Sequence, residues 1–226
     1  MSDVLQEELM ARAHEDVRGS AFFPWRMVFV WVSVVAVLAV IGPRSAAAGP
    51  LTDQVHESID TVLKLVSDPD LKKDARTTER RRMIRQVAAE LFDFTEISQR
   101  SLGTHWRART AAEREQFITL FGDLLEYSYV SKIETYSGET IRYLGEAVDG
   151  QQAVVKTRIV TKQGTEIPVD YRMMQNGTRW LVYDVNIEGV SLVANYRSQF
   201  NAVIQRSGYP DLVARLKAKQ VERPGS

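Results

Sequence analysis

Few residues in this chain combine the types and spacing that catalysis requires. Asp184 and Glu188 lie four apart on one face of what reads as the last strand. A carboxylate pair there could divide acid and base roles if its environment pushed the two pKa values apart. Two ordinary solvated carboxylates fit the same spacing. Beyond residue 48 the histidines are His56 and His105, far apart and without a His-Glu-x-x-His spacing, so no metal site follows. Gly189-Val190-Ser191 lacks the second glycine of a nucleophile elbow, and neither a dinucleotide-binding glycine loop nor a lysine-bearing phosphate loop occurs. Cysteine is absent, which excludes disulfides, thiolate ligands and thiol nucleophiles. Arg80, Arg81, Arg82 and Arg85 could together grip a phosphate or a partner, or form the solvated face of a helix. From these residues we expect no catalytic group, no metal and no cofactor.

The elements that would position these residues follow from periodicity. From Leu51, Val55, Ile59, Val62, Leu63 and Val66 recur at helical spacing until Asp68-Pro69-Asp70 breaks the pattern. A second helix carries the arginines, with Met83, Ile84, Val87 and Leu91 as its apolar stripe, and Phe92-Asp93-Phe94 leads to a short helix ending near Leu102-Gly103. Thr110-Ala111-Ala112-Glu113 reads as a capping box that opens a long helix, with Phe117, Phe121, Leu124, Leu125 and Ser128 or Tyr129 on one wide side. After Gly138 the period changes to two. Ile141 and Tyr143 mark the first strand; Ala153, Val155, Thr157 and Ile159 the second; Ile167, Val169, Tyr171 and Met173 the third. The fourth is expected to turn Leu181, Tyr183, Val185 and Ile187 inward and Trp180, Val182, Asp184 and Asn186 outward. Turn signals at Asp149-Gly150, Gln163-Gly164 and Asn176-Gly177 make a four-stranded antiparallel meander the simplest topology. A closing helix bears Leu192, Val193, Tyr196, Phe200, Val203 and Ile204, and a last one Leu212 and Leu216. The fold class is therefore α+β. One apolar sheet face and several apolar helix faces can pack solidly or leave a cavity, and periodicity does not choose.

Composition bounds the rest. The 226 residues suit one domain plus a removable leader. With 29 basic and 29 acidic residues, no net field draws the chain to nucleic acid or an anionic surface. The apolar run Met27–Gly42, preceded by Arg26 and followed by Ala46-Ala47-Ala48, has the layout of a secretory signal peptide; it is shorter than the about 20 residues of a spanning helix, and an uncleaved anchor in the inner membrane is the alternative. The acidic residues before Met27, and Arg44 before the cleavage site, are unusual for a leader, and the true start could be Met10. We expect a leader over 1–48, a domain over 49–221 and a flexible tail over 222–226.

The run from Trp180 through Tyr183-Asp184-Val185-Asn186-Ile187-Glu188-Gly189-Val190-Ser191 to Asn195-Tyr196-Arg197-Ser198-Gln199-Phe200 resembles the signature of the MlaC family, also called toluene-tolerance auxiliary proteins of an ABC transport system. Phe92-Asp93-Phe94, Leu102-Gly103 with Trp106, the Phe117 to Tyr129 stripe and Ile167-Pro168-Val169-Asp170-Tyr171-Arg172 occur in the order that family shows. The resemblance implies a periplasmic, monomeric, non-enzymatic shuttle. Its cargo would be a glycerophospholipid, its partners an inner-membrane ABC transporter complex and an outer-membrane lipoprotein complex, and its effect the maintenance of outer-membrane lipid asymmetry. It also implies an apolar cavity between sheet and helices. On that basis Val155, Ile159, Val169, Tyr171, Met173, Val185 and Ile187 are expected to form its floor, with Phe121, Leu125, Tyr129, Val193 and Phe200 as walls and roof. Three alternatives stay open: a hopanoid or other apolar-lipid carrier, a cystatin-like or nuclear-transport-factor-like enzyme using the same cavity, and an adaptor without cargo.

Overall fold

The computed structural model describes residues 49–136 and 138–221. The expected leader and tail lie outside the described residues. Helix α1 (Pro50–Ser67) starts with proline at its first position, where a missing N–H costs nothing. Its cap comes from far along the chain. The Glu146 carboxylate accepts from the Thr52 backbone N–H at 2.6 Å and from its hydroxyl at 3.0 Å, an anion at the positive end of a helix. Glycine at 49 makes room for it, because a Cβ there would overlap that carboxylate. Asp68 ends the helix region by accepting from the amides of Asp70 and Leu71 at 2.7 and 3.2 Å.

Helices α2 (Thr77–Leu91) and α3 (Phe94–Leu102) follow, the latter capped by Asp93, which accepts from the Glu96 amide at 2.9 Å. The expected capping box opens α4 (Ala111–Glu134): the Glu113 amide donates to the Thr110 hydroxyl at 3.2 Å, and the Thr110 amide to the Glu113 carboxylate at 2.8 Å. Helices α5 (Leu192–Ser207) and α6 (Tyr209–Val221) close the described chain. Among the described residues no helix is long and apolar enough to cross a membrane.

The sheet is an antiparallel meander of β1 (Thr140–Asp149), β2 (Gln152–Val160), β3 (Glu166–Asn176), β4 (Arg179–Ile187) and β5 (Val190–Ser191). The fifth strand corrects the expected count of four. It is two residues long and returns through Glu188-Gly189, whose φ angles of 52° and 85° supply the positive values that a tight two-residue hairpin demands. Glu188, a non-glycine held in that left-handed region, gives little sequence warning of a turn.

A second correction concerns β4. Its register passes from Arg172 opposite Asp184 to Met173 opposite Val182, so Tyr183 is an extra, bulged residue. One inserted residue inverts a period-two pattern. Val182 is therefore fully buried against the sheet core, with Trp180 packed beside it, although both were expected outside, while Val185 keeps its inward place opposite Tyr171. The edge of β4 beside the bulge is not left open. The Val182 carbonyl accepts from the Asp93 amide at 2.9 Å, which ties the α2–α3 junction to the sheet.

Candidate functional site

Among the described residues the buried side chains form three clusters, whereas a single domain usually builds one contiguous core. The helical cluster joins α3 to α6 through Ile97, Leu102, Phe117, Phe121, Val193, Phe200 and Leu212. Its rings interlock: Phe121 meets Phe200 edge-on at 5.0 Å and Tyr196 at 4.9 Å, and Phe117 meets Phe200 at 5.5 Å. The sheet cluster sets Leu51 and Val55 of α1 and Leu91 of α2 on Ala153, Val155, Met173 and Val182. A third holds Val66, Ile84 and Val130. Phe92, at the α2–α3 junction, packs against both larger clusters.

The margins of these clusters are half-buried and rich in phenols. Tyr129 and Tyr196 edge the helical cluster; Ile59, Tyr143, Tyr171 and Val185 edge the sheet cluster. Burial pushes the Tyr129 phenol up to about 12, with Tyr196 adding to it, and burial alone lifts Tyr171 to about 12. Burial raises Tyr143 further still, helped by Asp60 and Tyr171, and raises Tyr196 against a hydrogen bond with Ser128. All four phenols are thus neutral at physiological pH. Each margin therefore pairs apolar rings and aliphatic groups with uncharged hydroxyls.

The expected site residues divide between these regions. Phe121, Leu125, Val193 and Phe200 belong to the helical cluster, with Tyr129 at its edge. Val155 and Met173 belong to the sheet cluster, with Tyr171 and Val185 at its edge. Val169 is buried and Ile187 half-buried, side by side in register, and Ile159 is half-buried opposite Ile167. The sheet residues therefore share one face, whereas Phe121 and Phe200 are engaged ring to ring with other helix residues. Tyr143, Tyr196 and Ile59 join the margin unanticipated. Each lies on an apolar stripe, but spacing does not distinguish a margin from a core.

Two sequence candidates resolve differently. Asp184 is 4% exposed and accepts from the Ser191 hydroxyl at 2.6 Å and the Val193 amide at 3.0 Å, with Arg172 at 3.5 Å. It fastens the start of α5, where Ser191 is the N-cap. Glu188 sits exposed on the hairpin turn, so the two carboxylates form no catalytic pair. In the arginine cluster, Arg80 and Arg81 reach Glu134 of α4 at 2.6 and 3.0 Å, and Arg85 reaches Glu126 at 2.6 Å. Burial alone would raise the Glu134 carboxyl, but the hydrogen bonds and charges of Arg81 and Arg80 outweigh it and hold the group below its ordinary value. Three of the four arginines thus clamp α2 to α4. Among the described residues no group of three or more His, Asp or Glu is arranged to hold a metal ion.

A groove of about 600 Å³ opens at the N-terminal end of α1, between Leu51, Val148 and Trp180 on its apolar side and Gln54, Glu146 and Arg179 on its polar side. It touches none of the twelve expected site residues. It is the open end of the layer between α1 and the sheet, since Leu51 and Trp180 both belong to that packing.

Comparison with known proteins places this geometry. A phospholipid-binding protein from Ralstonia solanacearum, solved in complex with a phospholipid, superimposes with a TM-score of 0.67 at 27% identity, covering 75% of this chain and 96% of that one. The intermembrane phospholipid transport system binding protein MlaC of Haemophilus influenzae is 25% identical over 121 residues, 51% of this chain and 56% of that protein. The toluene tolerance protein ttg2D of Pseudomonas putida is 27% identical over 103 residues, 45% of this chain and 48% of that protein. The matched stretches span about half the length of these two relatives. The MlaC protein family matches residues 56–218, most of the described structure, and the chain belongs to the MlaC family.

Proposed function

We propose that this chain is a phospholipid carrier that shelters acyl tails in the seam between the sheet layer and the helical cluster. The observation that carries the reading is the split core: the helical and sheet clusters are separate sets joined through Phe92, and each is edged by half-buried tyrosines and aliphatics. The likeness to a protein solved with a phospholipid bound supports the cargo. Leaving a bilayer exposes about thirty methylenes of a diacyl lipid at about 0.8 kcal/mol each, on the order of 25 kcal/mol in all. A carrier must offer a substitute apolar surface. Tyr129, Tyr171, Val185, Ile159 and Ile187 are half-buried and available to do so.

In this reading the chain has no catalytic role. Residues 1–48 export it to the periplasm, and it travels as a monomer between an inner-membrane ABC transporter complex and an outer-membrane lipoprotein complex, sustaining the lipid asymmetry of the outer membrane. Its similarity to an intermembrane phospholipid transport system binding protein and to a toluene tolerance protein supports that reading.

Mass spectrometry of an organic extract of the purified full chain tests it. Phospholipid near one molecule per chain is the expected result. A protein empty of lipid overturns the reading and favours an adaptor, and a polycyclic lipid in its place makes the cargo a hopanoid.

A further inference from the structure

The Tyr143 hydroxyl is buried and has no hydrogen-bond partner. A buried polar group without a partner is costly and calls for an explanation. The two other such atoms among the described residues have local ones. Ser101 lies inside α3, where a hydroxyl can turn to a backbone carbonyl of the preceding turn. The Arg109 guanidinium, whose Nε is unpartnered, is otherwise engaged by Glu113 at 3.3 Å and by the Tyr209 ring at 4.4 Å. Tyr143 has no equivalent. Its neighbour in register, Thr157, donates its own hydroxyl to the Val169 carbonyl at 2.9 Å. Asp60 is near enough to raise the phenol pKa but is held by His56 at 3.4 Å and does not accept the proton.

The position of this phenol narrows what it would meet. Its ring packs at the edge of the sheet cluster and against the His56 ring, centroid to centroid at 4.4 Å. The side chains of His56 and Asp60 are 50% and 47% exposed. The hydroxyl therefore lies just inside the boundary with solvent. If acyl tails fill the seam, the glycerol esters fall at such a boundary, and each ester carbonyl drawn out of water needs a donor. A phenol suits this task because it is neutral and donates strongly to a neutral acceptor.

We propose that the Tyr143 hydroxyl donates a hydrogen bond to an ester carbonyl of the bound lipid, making Tyr143 a specificity residue that favours ester-linked diacyl lipids over ether-linked or purely hydrocarbon ones. This rests on the carrier reading and assigns it a polar contact. The test measures binding to the lipid-stripped full chain of two phosphatidylglycerols that share chain length and differ only in diester against diether linkage. Wild type binds the diester about three- to tenfold more tightly, the worth of one neutral hydrogen bond. Tyr143→Phe loses that preference, keeps its diether affinity, and is no less stable when empty. Equal binding of the two lipids by wild type, or a preference retained in Tyr143→Phe, overturns the proposal while leaving the carrier reading intact. Failure of wild type to bind either lipid defeats the carrier reading itself. Should Tyr143→Phe not fold, the stretching band of a carbon-13-labelled ester carbonyl bound to wild type serves instead: a shift to lower frequency relative to the lipid in hydrocarbon solvent supports the contact, and an unshifted band overturns it.

Discussion

The helical cluster and the sheet layer are built from the same kinds of side chain and are finished differently. Around Phe117, Phe121 and Phe200 the rings interlock and solvent is excluded. Across the sheet the central residues Val155, Met173 and Val182 are fully buried, yet Tyr171, Val185, Ile159 and Ile187 on the same face stay half-buried. The first region spends its apolar surface on folding. The second holds part of it back, and in the carrier reading a lipid supplies the missing contacts. Wall residues and core residues then differ in how much their replacement costs stability relative to loading.

Phe121→Ala should show the largest loss. Removing a fully buried ring from a close-packed cluster costs about 3–5 kcal/mol, read as a lower denaturant midpoint. A loss under about 1 kcal/mol would mean that the helical cluster is itself loose. Asp184→Ala should cost about 2–3 kcal/mol, because it leaves the Val193 amide and the start of α5 without their buried acceptor. A midpoint unchanged from wild type would show that Ser191 alone holds the helix.

Glu134→Gln should cost about 2 kcal/mol at neutral pH, since the buried Arg80 and the more exposed Arg81 lose their shared counter-charge. The folded carboxyl lies below the ordinary 4.5, so its contribution is fully present above that value and is lost as pH falls through the lower folded one. Stability against pH should therefore drop less on the acid side in the variant than in wild type. Parallel curves would break the assignment.

Val185→Trp should have the smallest effect on stability, under about 1 kcal/mol, because the added ring fills space at a half-buried margin; the same change at Val155, in the filled part of the sheet cluster, should cost about 1–3 kcal/mol. Lipid loading should fall in Val185→Trp while the fold persists. Equal destabilisation at the two positions would erase the distinction between margin and core.

Local features of this fold were open to reading from sequence, and features made by distant residues were not. The capping box at Thr110-Glu113, the break at Asp68-Pro69 and the meander with its glycine turns rest on neighbours in the chain. The bulge at Tyr183 is invisible to alternation because one extra residue inverts the phase of Trp180 and Val182 without changing composition. Glu146 capping α1 and Glu134 clamping Arg80 join residues remote in sequence, and spacing within one element gives no sign of either contact. The twelve expected site residues came from a resemblance joined to periodicity. That was enough to place them on apolar faces but not to separate Tyr171, at the margin, from Met173, in the core.

Cross-linking with a phospholipid that carries a photoreactive diazirine near the end of one acyl chain tests the seam most directly. Loaded into the full chain and irradiated, it should label Tyr129, Tyr171, Val185 and Tyr196. Label confined to Val148 and Trp180 in the groove beside α1, or absent from the chain, would contradict a lipid held between the two layers.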